Sequence, residues 1–523
     1  MMKTEKIVIV GGGTAGWMTA ATIVATHPYK QITVVESPDV PRIGVGESTL
    51  QLLRSWMHVV GIQDSDFMAA CDATYKLSVK FTGFSNENDK TGFHYPFGSP
   101  HFFPDSYSGL NDWRMKKALY PNTPVQDFAK SYYPQMALID AGKLDYNEEG
   151  KFGNFDVKQD SAFHVDAVKF ANWLRDEYCI PRGVNHIPAT VTSVDVGEEG
   201  IERIYLDDAG RFITSDVYID CTGFKSLLIG DALGEEFVSF NDQLPNNRAW
   251  AARVPYSDKE TEMKPYTDCV ALSNGWVWNT PTWTRIGMGY VYSDNYVSKE
   301  DALQEFKDHL VSLGKEIDDL EFRDLSFRVG IHKRTWVKNC IAIGLSAGFM
   351  EPLEGNGLLT IHEFALKLVR ILGREYITQY DRDIYNTAVF KYFSEFADFV
   401  SAHYVFSQRR DTPYWKDTAK IPLNHRGMAC DGARFMGLSV LKDNPEEYYD
   451  GMNFVAIGLG YDRITPSMLK EIEFYNNINA ESIVGKIDYQ WNQMKVKLHE
   501  FARECPSHYQ FLKDGIYANV PEE

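Results

Sequence analysis

No run of apolar residues in this chain of 523 approaches the ~18 that a membrane-spanning helix requires. The apolar stretch at the start, Ile7 to Val10, runs straight into glycines, so it reads as a strand and not as a signal peptide. No Cys-x-x-Cys pair exists. The seven cysteines (Cys71, Cys179, Cys221, Cys269, Cys340, Cys430 and Cys505) are scattered and odd in number. They indicate neither a disulfide framework nor a thiolate zinc site, and they fit a reduced cytoplasm. None of the 13 histidines stands in His-Glu-x-x-His or a comparable ligand spacing, so no metal centre is expected. Basic residues are in deficit, 53 against 72 acidic, for a net charge of −19. That balance disfavours nucleic acid and anionic membranes as partners. Internal repeats, low-complexity tracts and long linkers are also absent.

What remains is an ordinary globular composition, 44% hydrophobic and 24% charged, long enough for about three lobes. Aromatics reach 14%, which suits either a Trp-rich core or stacking surfaces for a flat ligand. The opening reads as strand (Lys6 to Val10), glycine turn, helix and second strand (Ile32 to Val35), a βαβ start. Asp166 to Tyr178 has the spacing of an amphipathic helix. VTSVDV, IERIYLD and VYIDCTG read as consecutive strands, and residues 235 to 330 as a mixed, mainly antiparallel sheet. Cys340 to Gly344 is a buried strand, and Asn356 to Gly373 is helical.

The glycine turn carries the strongest chemistry. Gly11-x-Gly13-x-x-Gly16, with Thr14 and Ala15 between, follows a strand and opens a helix. Glycines there allow the tight turn and bring backbone amides to a pyrophosphate at the helix N-terminus. Glu36 lies twenty residues beyond Gly16 and ends the second strand, where a carboxylate accepts both ribose hydroxyls. Two further segments favour FAD over NAD. PRIGVGESTL, which contains Gly46 and Glu47, is a second Gly-rich loop, and Asp216 to Gly223 is a strand ending in a small-residue turn. No second dinucleotide fingerprint follows, so electrons arrive from outside or from transient NADH.

GGGTAGWM, RIGVGEST, YKLSVKF, WVWNTP and GFMEPLEGNG occur in that order, with FRVGIHKRTWVKNCIAIGLS and FVSAHYVFSQRRDTPYW in register. In this the chain resembles the flavin-dependent halogenases of the tryptophan halogenase family over nearly its whole length. The resemblance implies an α/β fold of the single-component FAD-monooxygenase kind, a Rossmann-type FAD lobe interwoven with a mixed-sheet substrate lobe and a C-terminal helical region. The boundaries we expect are 1–90 with 155–235 and 325–372 for the FAD lobe, 91–154 and 236–324 for the substrate lobe, and 373–523 for the mainly helical region.

The resemblance also implies roles. The family's catalytic lysine matches Lys76. Alternation puts Lys76 and Lys80 on one face if YKLSVKF is a single strand. The family's second catalytic residue matches Glu354, with Glu351 a nearby decoy. The bland alternatives are a solvated lysine and a carboxylate serving free amides at a helix start. Trp276, Trp278 and Pro281 match the W-x-W-x-I-P motif, with Thr280 in place of Ile. Leu345 joins the flavin contacts. The family's Ser position in the halide turn is Gly355, which leaves the amides of Asn356 and Gly357 to hold the anion. His164 reads as a cap or packing residue of the flavin lobe.

The implied reaction uses FADH2 from a separate NAD(P)H-dependent flavin reductase, dioxygen and a halide. Hypohalous acid travels inside the protein to Lys76, which presents an oriented electrophile to a small aromatic substrate. Tyr95 replaces the family's substrate-side His, Phe97 follows it, and the late aromatic insertion around Asn444 to Asp450 is shortened. These departures point to indoles, phenols or other electron-rich arenes and not to free tryptophan, while Gly355 and Asn356 in the halide turn favour bromide or iodide over chloride. Two other readings share the fold: an NAD(P)H-dependent flavin monooxygenase and a non-catalytic flavoprotein. Homo-oligomerisation stays open.

Overall fold

The computed structural model describes residues 4–40, 44, 46–107, 109–207, 210–422, 449–461 and 465–521. Its first layer is a six-stranded sheet in the order Trp336–Val337, Cys340–Ala342, Val217–Asp220, Lys6–Val10, Gln31–Glu36, Asn185–Pro188. All neighbours are parallel except the short hairpin of the first two. Parallel strands covered on both faces need near-continuous apolar runs, and KIVIV, VYID and CIA supply them. Segments about two hundred residues apart, such as Lys6–Val10 and Val217–Asp220, thus lie side by side. The helices Thr14–Thr26 and Gly357–Leu372 pack on this layer.

The second layer is a seven-stranded sheet, Arg323–Ser326, Arg248–Val254, Ile286–Tyr292, Gly275–Pro281, Tyr266–Ala271, Ser78–Thr82, Phe93–Pro96. It is antiparallel except where Tyr266–Ala271 runs parallel to Ser78–Thr82, so the expectation of a mixed sheet holds. Ser78–Thr82 belongs to this sheet although it lies within the segment 1–90. Alternation gives the sheet two faces. Val277, Met288 and Tyr290 join the cluster under helix Lys299–Ser312, while Trp276, Trp278 and Cys269 turn into the main core.

A three-stranded sheet, Glu47–Ser48, Ala162–Val165, Thr74–Lys76, joins the two layers. Its register sets Ser48 and Thr74 on either side of His164. YKLSVKF is therefore not one strand. It breaks at Leu77, whose amide donates to Pro265 O at 2.7 Å, and the chain passes from one sheet to the next. The shared face expected for Lys76 and Lys80 fails for that reason. Lys80 stands 3.6 Å from Asp268, while Lys76 turns inward.

The helix expected over Asp166 to Tyr178 starts where predicted, with Asp166 accepting from the amides of Val168 and Lys169, but it widens into a π-turn at Leu174–Cys179. His164 is not that cap; it sits in the strand before it. Two long helices, Gln379–Val405 and Ala480–Glu504, dominate the C-terminal part. Residues 444–448, where the shortened insertion was expected, lie outside the described residues. Among the described residues no helix is long and apolar enough to cross a membrane, and six cysteines are free and buried.

Candidate active site

The glycine loop fits a dinucleotide. Gly11 has φ +116°, and a Cβ there would meet Cys221 O at 2.1 Å. Only glycine allows that approach of loop to strand Val217–Asp220. A Cβ at Gly13 would meet nothing within 4 Å, so the loop is open on the ligand side. The helix beginning at Thr14 has no side-chain cap and no acidic residue in its first turn, which leaves its amides to an anion such as a pyrophosphate. Ala15 packs behind Gly344, next to Leu345. The Glu36 side chain covers Gly12, with Oε2 3.1 Å from His186 Nε2 and 3.8 Å from Arg175. Gly46 has φ +85° and lies against Thr280, Thr282 and Gly287.

Lys76 is fully buried, not solvated. Its Nζ donates to Ser48 Oγ at 2.7 Å and to Thr49 O at 2.9 Å, and lies 5.1 Å from the Phe97 ring centroid. Burial pulls its pKa down to about 8, against the pull of the Glu354 charge. Glu354 is as buried. Its Oε1 stands 2.9 Å from His403 Nε2, and Oε2 has no hydrogen-bond partner among the described residues.

Glu351 is a structural acid. Its Oε2 accepts from Asn246 Nδ2 at 2.6 Å, Tyr404 OH at 2.7 Å and Trp276 Nε1 at 2.9 Å, and Tyr414 OH donates to Asn246 Oδ1. Burial raises its pKa, opposed by these donors. Neither glutamate serves the free amides of helix Gly357–Leu372, which starts on Asn356 with no side-chain cap. Trp276 is therefore tied in place. Trp278, 6.3 Å away between ring centroids and edge-on, keeps an indole N–H without a partner among the described residues. Pro281 closes the strand and its carbonyl accepts from Thr74 Oγ1 at 2.6 Å.

The turn before the helix is built on Gly355, with φ +67°. A Cβ there would stand 2.9 Å from Ser48 O and 3.0 Å from Ser48 Oγ. Backbone and space both select glycine at this position. Asn356 Nδ2 donates to Glu351 O at 3.1 Å, and a methyl at Gly357 would lie 3.0 Å from Glu47 Oε2. Burial raises the Glu47 carboxyl to about 7. Tyr95 is half-buried, with its ring centroid 5.2 Å from Phe454 and 6.1 Å from Phe399.

The sequence profile described as tryptophan halogenase matches residues 6–473. The tryptophan 6-halogenase ThaL of Streptomyces albogriseolus is 33% identical over 80% of this chain and 80% of its own length. Among solved structures, VirX1 in its apo form superposes with a TM-score of 0.91 at 36% identity, covering 99% of this chain and 100% of that one. BrvH, a flavin-dependent halogenase from Brevundimonas sp. BAL3, does so at 0.83 and 30%, covering 98% and 99%. The chain belongs to the tryptophan halogenase family. It is thus a flavin-dependent halogenase of aromatic compounds, and its glycine loop suits the FAD such an enzyme needs.

Several side chains of this halogenase escaped sequence reading. His403, Tyr404 and Asn246 reach the two glutamates from distant segments, and Tyr414 holds Asn246 in turn. The adjacent His and Tyr in FVSAHYVF were visible, yet helical periodicity alone does not say which buried residues they meet. Ser48, read only as part of the second Gly-rich loop, and Thr267 stand one bond and two bonds from Lys76, and nothing in the sequence tied either to it.

Proposed function

We propose that this halogenase acts on indoles, phenols or similar electron-rich arenes, prefers bromide or iodide to chloride, and transfers halogen through Lys76. Reduced FAD, delivered by a separate NAD(P)H-dependent flavin reductase, supplies the electrons with which dioxygen converts halide to hypohalous acid. Gly11, Gly13, Thr14, Ala15, Gly16, Glu36, Gly46, Glu47 and Leu345 are the residues we assign to the flavin. The amides of Asn356 and Gly357 hold the halide. The Glu47 carboxyl beside them is mainly neutral below about 7, so it does not repel an anion there.

One observation carries the reading: a lysine sealed from solvent with a lowered pKa, electrostatically paired with an equally sealed glutamate. A buried amine held by two hydrogen bonds has one valence left to take the halogen, and position matters more than acidity. Glu354, with a free oxygen, accepts the arenium proton. Replacement of the substrate-side His by Tyr95, packed among Phe399 and Phe454, supports an apolar arene over an amino acid. Larger halides shed water more readily, which supports their preference in a turn whose hydroxyls are lost at Gly355.

The test is a reductase-coupled reaction with a library of arenes and each halide in turn. Brominated or iodinated indoles and phenols are expected in excess of chlorinated product. Lys76→Met abolishes arene halogenation and keeps FAD binding. Exclusive halogenation of free tryptophan, dominant chlorination in mixed halide, or a turnover-competent Lys76→Met protein each overturns its part of the reading.

A further inference from the structure

Behind Lys76 lies a hydrogen-bond chain whose polarity follows from its ends. Lys76 Nζ lies 2.7 Å from Ser48 Oγ, Ser48 Oγ 2.8 Å from Thr267 Oγ1, and Thr267 Oγ1 2.9 Å from His164 Nε2. On the far side His164 Nδ1 lies 3.1 Å from Thr74 Oγ1, which lies 2.6 Å from Pro281 O. A carbonyl only accepts, so the Thr74 hydroxyl hydrogen points to Pro281 O. Thr74 Oγ1 therefore accepts from His164, and Nδ1 carries the ring hydrogen. Nε2 is then a bare acceptor in the neutral ring and takes the Thr267 hydrogen. Thr267 in turn accepts from Ser48, and Ser48 from Lys76. Every hydroxyl in the chain has one orientation. The cross-strand register Ser48, His164, Thr74 builds it, and Thr267 bridges from the seven-stranded sheet.

We propose that His164 is the positioning residue of Lys76 and the store for the proton that Lys76 releases when it is halogenated. This rests on Lys76 being the halogen carrier. An ammonium cannot bind halogen until it loses a proton. Hypohalous acid and the Lys76 ammonium give the haloamine, water and one proton, with halogen passing from oxygen to nitrogen. That proton moves as three short transfers: Nζ to Ser48, Ser48 to Thr267, Thr267 to His164 Nε2. Transfer of halogen from the haloamine to the arene, with the arene's proton accepted by Glu354 and handed on to the nitrogen, leaves a neutral amine. Reversal of the three transfers restores the ammonium. No net proton enters or leaves the buried site.

The charges around the chain are consistent with a transient store. Lys76 and His508 face His164, and Glu354 and Cys269 face Lys76. Burial, then the charge of Lys76 with the His508 ring nearby, keeps His164 well below its ordinary value, so the resting ring is neutral and Nε2 is free to accept.

Thr267→Val removes one hydroxyl at nearly constant volume and cuts the chain in the middle. It is expected to lower kcat for arene halogenation at least ~10-fold, with the arene KM little changed, and to move the acidic limb of the kcat profile upward. Thr267→Ser restores the rate. In the wild type, nitrogen NMR of 15N-histidine protein, assigned with His164→Gln, shows His164 as the Nδ1–H tautomer with a bare Nε2. A wild-type kcat and profile in Thr267→Val, or an Nε2–H tautomer in the wild type, overturns the relay while Lys76→Met stays inactive. Arene halogenation by Lys76→Met instead overturns the reading of Lys76 beneath it. If Thr267→Val does not fold, the tautomer alone decides.

Discussion

Replacing Lys76 by Met tests whether this amine is as sealed as its surroundings make it. Burial lowers the folded pKa to about 8, while the unfolded chain keeps the ordinary value near 10.5. The sign follows from proton counting. Below pH 8 both states hold the proton, so the burial cost is present in full and constant. Between the two values the folded chain gives up its proton first, the unfolded chain holds more, and stability rises with pH. Lys76→Met lacks this term, and titrations elsewhere cancel between the two proteins. Wild type therefore gains about 2.5 kcal/mol on Lys76→Met between pH 7 and pH 10. The assay is urea unfolding followed by tryptophan fluorescence, run on both proteins at pH 7, 8.5 and 10. What counts is the change in the gap and not its size at one pH, since Met also removes the donor to Ser48 Oγ and Thr49 O. A gap that stays constant across this range means that the ammonium is solvated, and the case for a sealed halogen carrier fails with it.

Glu47 tests the halide turn from the acidic side. Its carboxyl is raised to about 7 by burial, so its stabilising protonation is full below the ordinary 4.5 and lost as pH rises through 7. Glu47→Gln should gain about 3 kcal/mol on wild type between pH 4.5 and pH 8, read from urea midpoints. Gly355→Ser, which restores the family's residue, forces φ +67° on a side chain that would press on Ser48 O. It should cost about 1–2 kcal/mol in chemical unfolding before any effect on halide use is seen. Trp276→Phe removes one of three donors to Glu351 Oε2. A loss of about 1–3 kcal/mol is expected by thermal unfolding, and Phe at Trp278, whose indole N–H has no partner, should cost less.

The parallel layer was legible because its signals are local. KIVIV, the spaced glycines and Glu36 name strand, turn and strand end within one short stretch. The seven-stranded sheet was legible as a class and not in its edges, because Ser78–Thr82 joins it from far upstream through a parallel pairing that leaves no trace in either segment. YKLSVKF misled for a related reason. Alternation was present, but the break at Leu77 is made by a carbonyl at Pro265, outside any window around it.

The sequence alone established a dinucleotide fold, a flavin, the family and a lysine and glutamate worth naming, since each depends on residue types at short or ordered spacing. It did not decide which of two glutamates is free. Both sit in EPLE, and only distant side chains from Asn246, Trp276 and Tyr404 occupy one and leave His403 to the other. Nor did it decide that Lys76 is dry, or that Ser48, Thr267 and His164 line up behind it. Those facts arise where three sheets meet, and such a junction is a property of packing that no stretch of chain contains by itself.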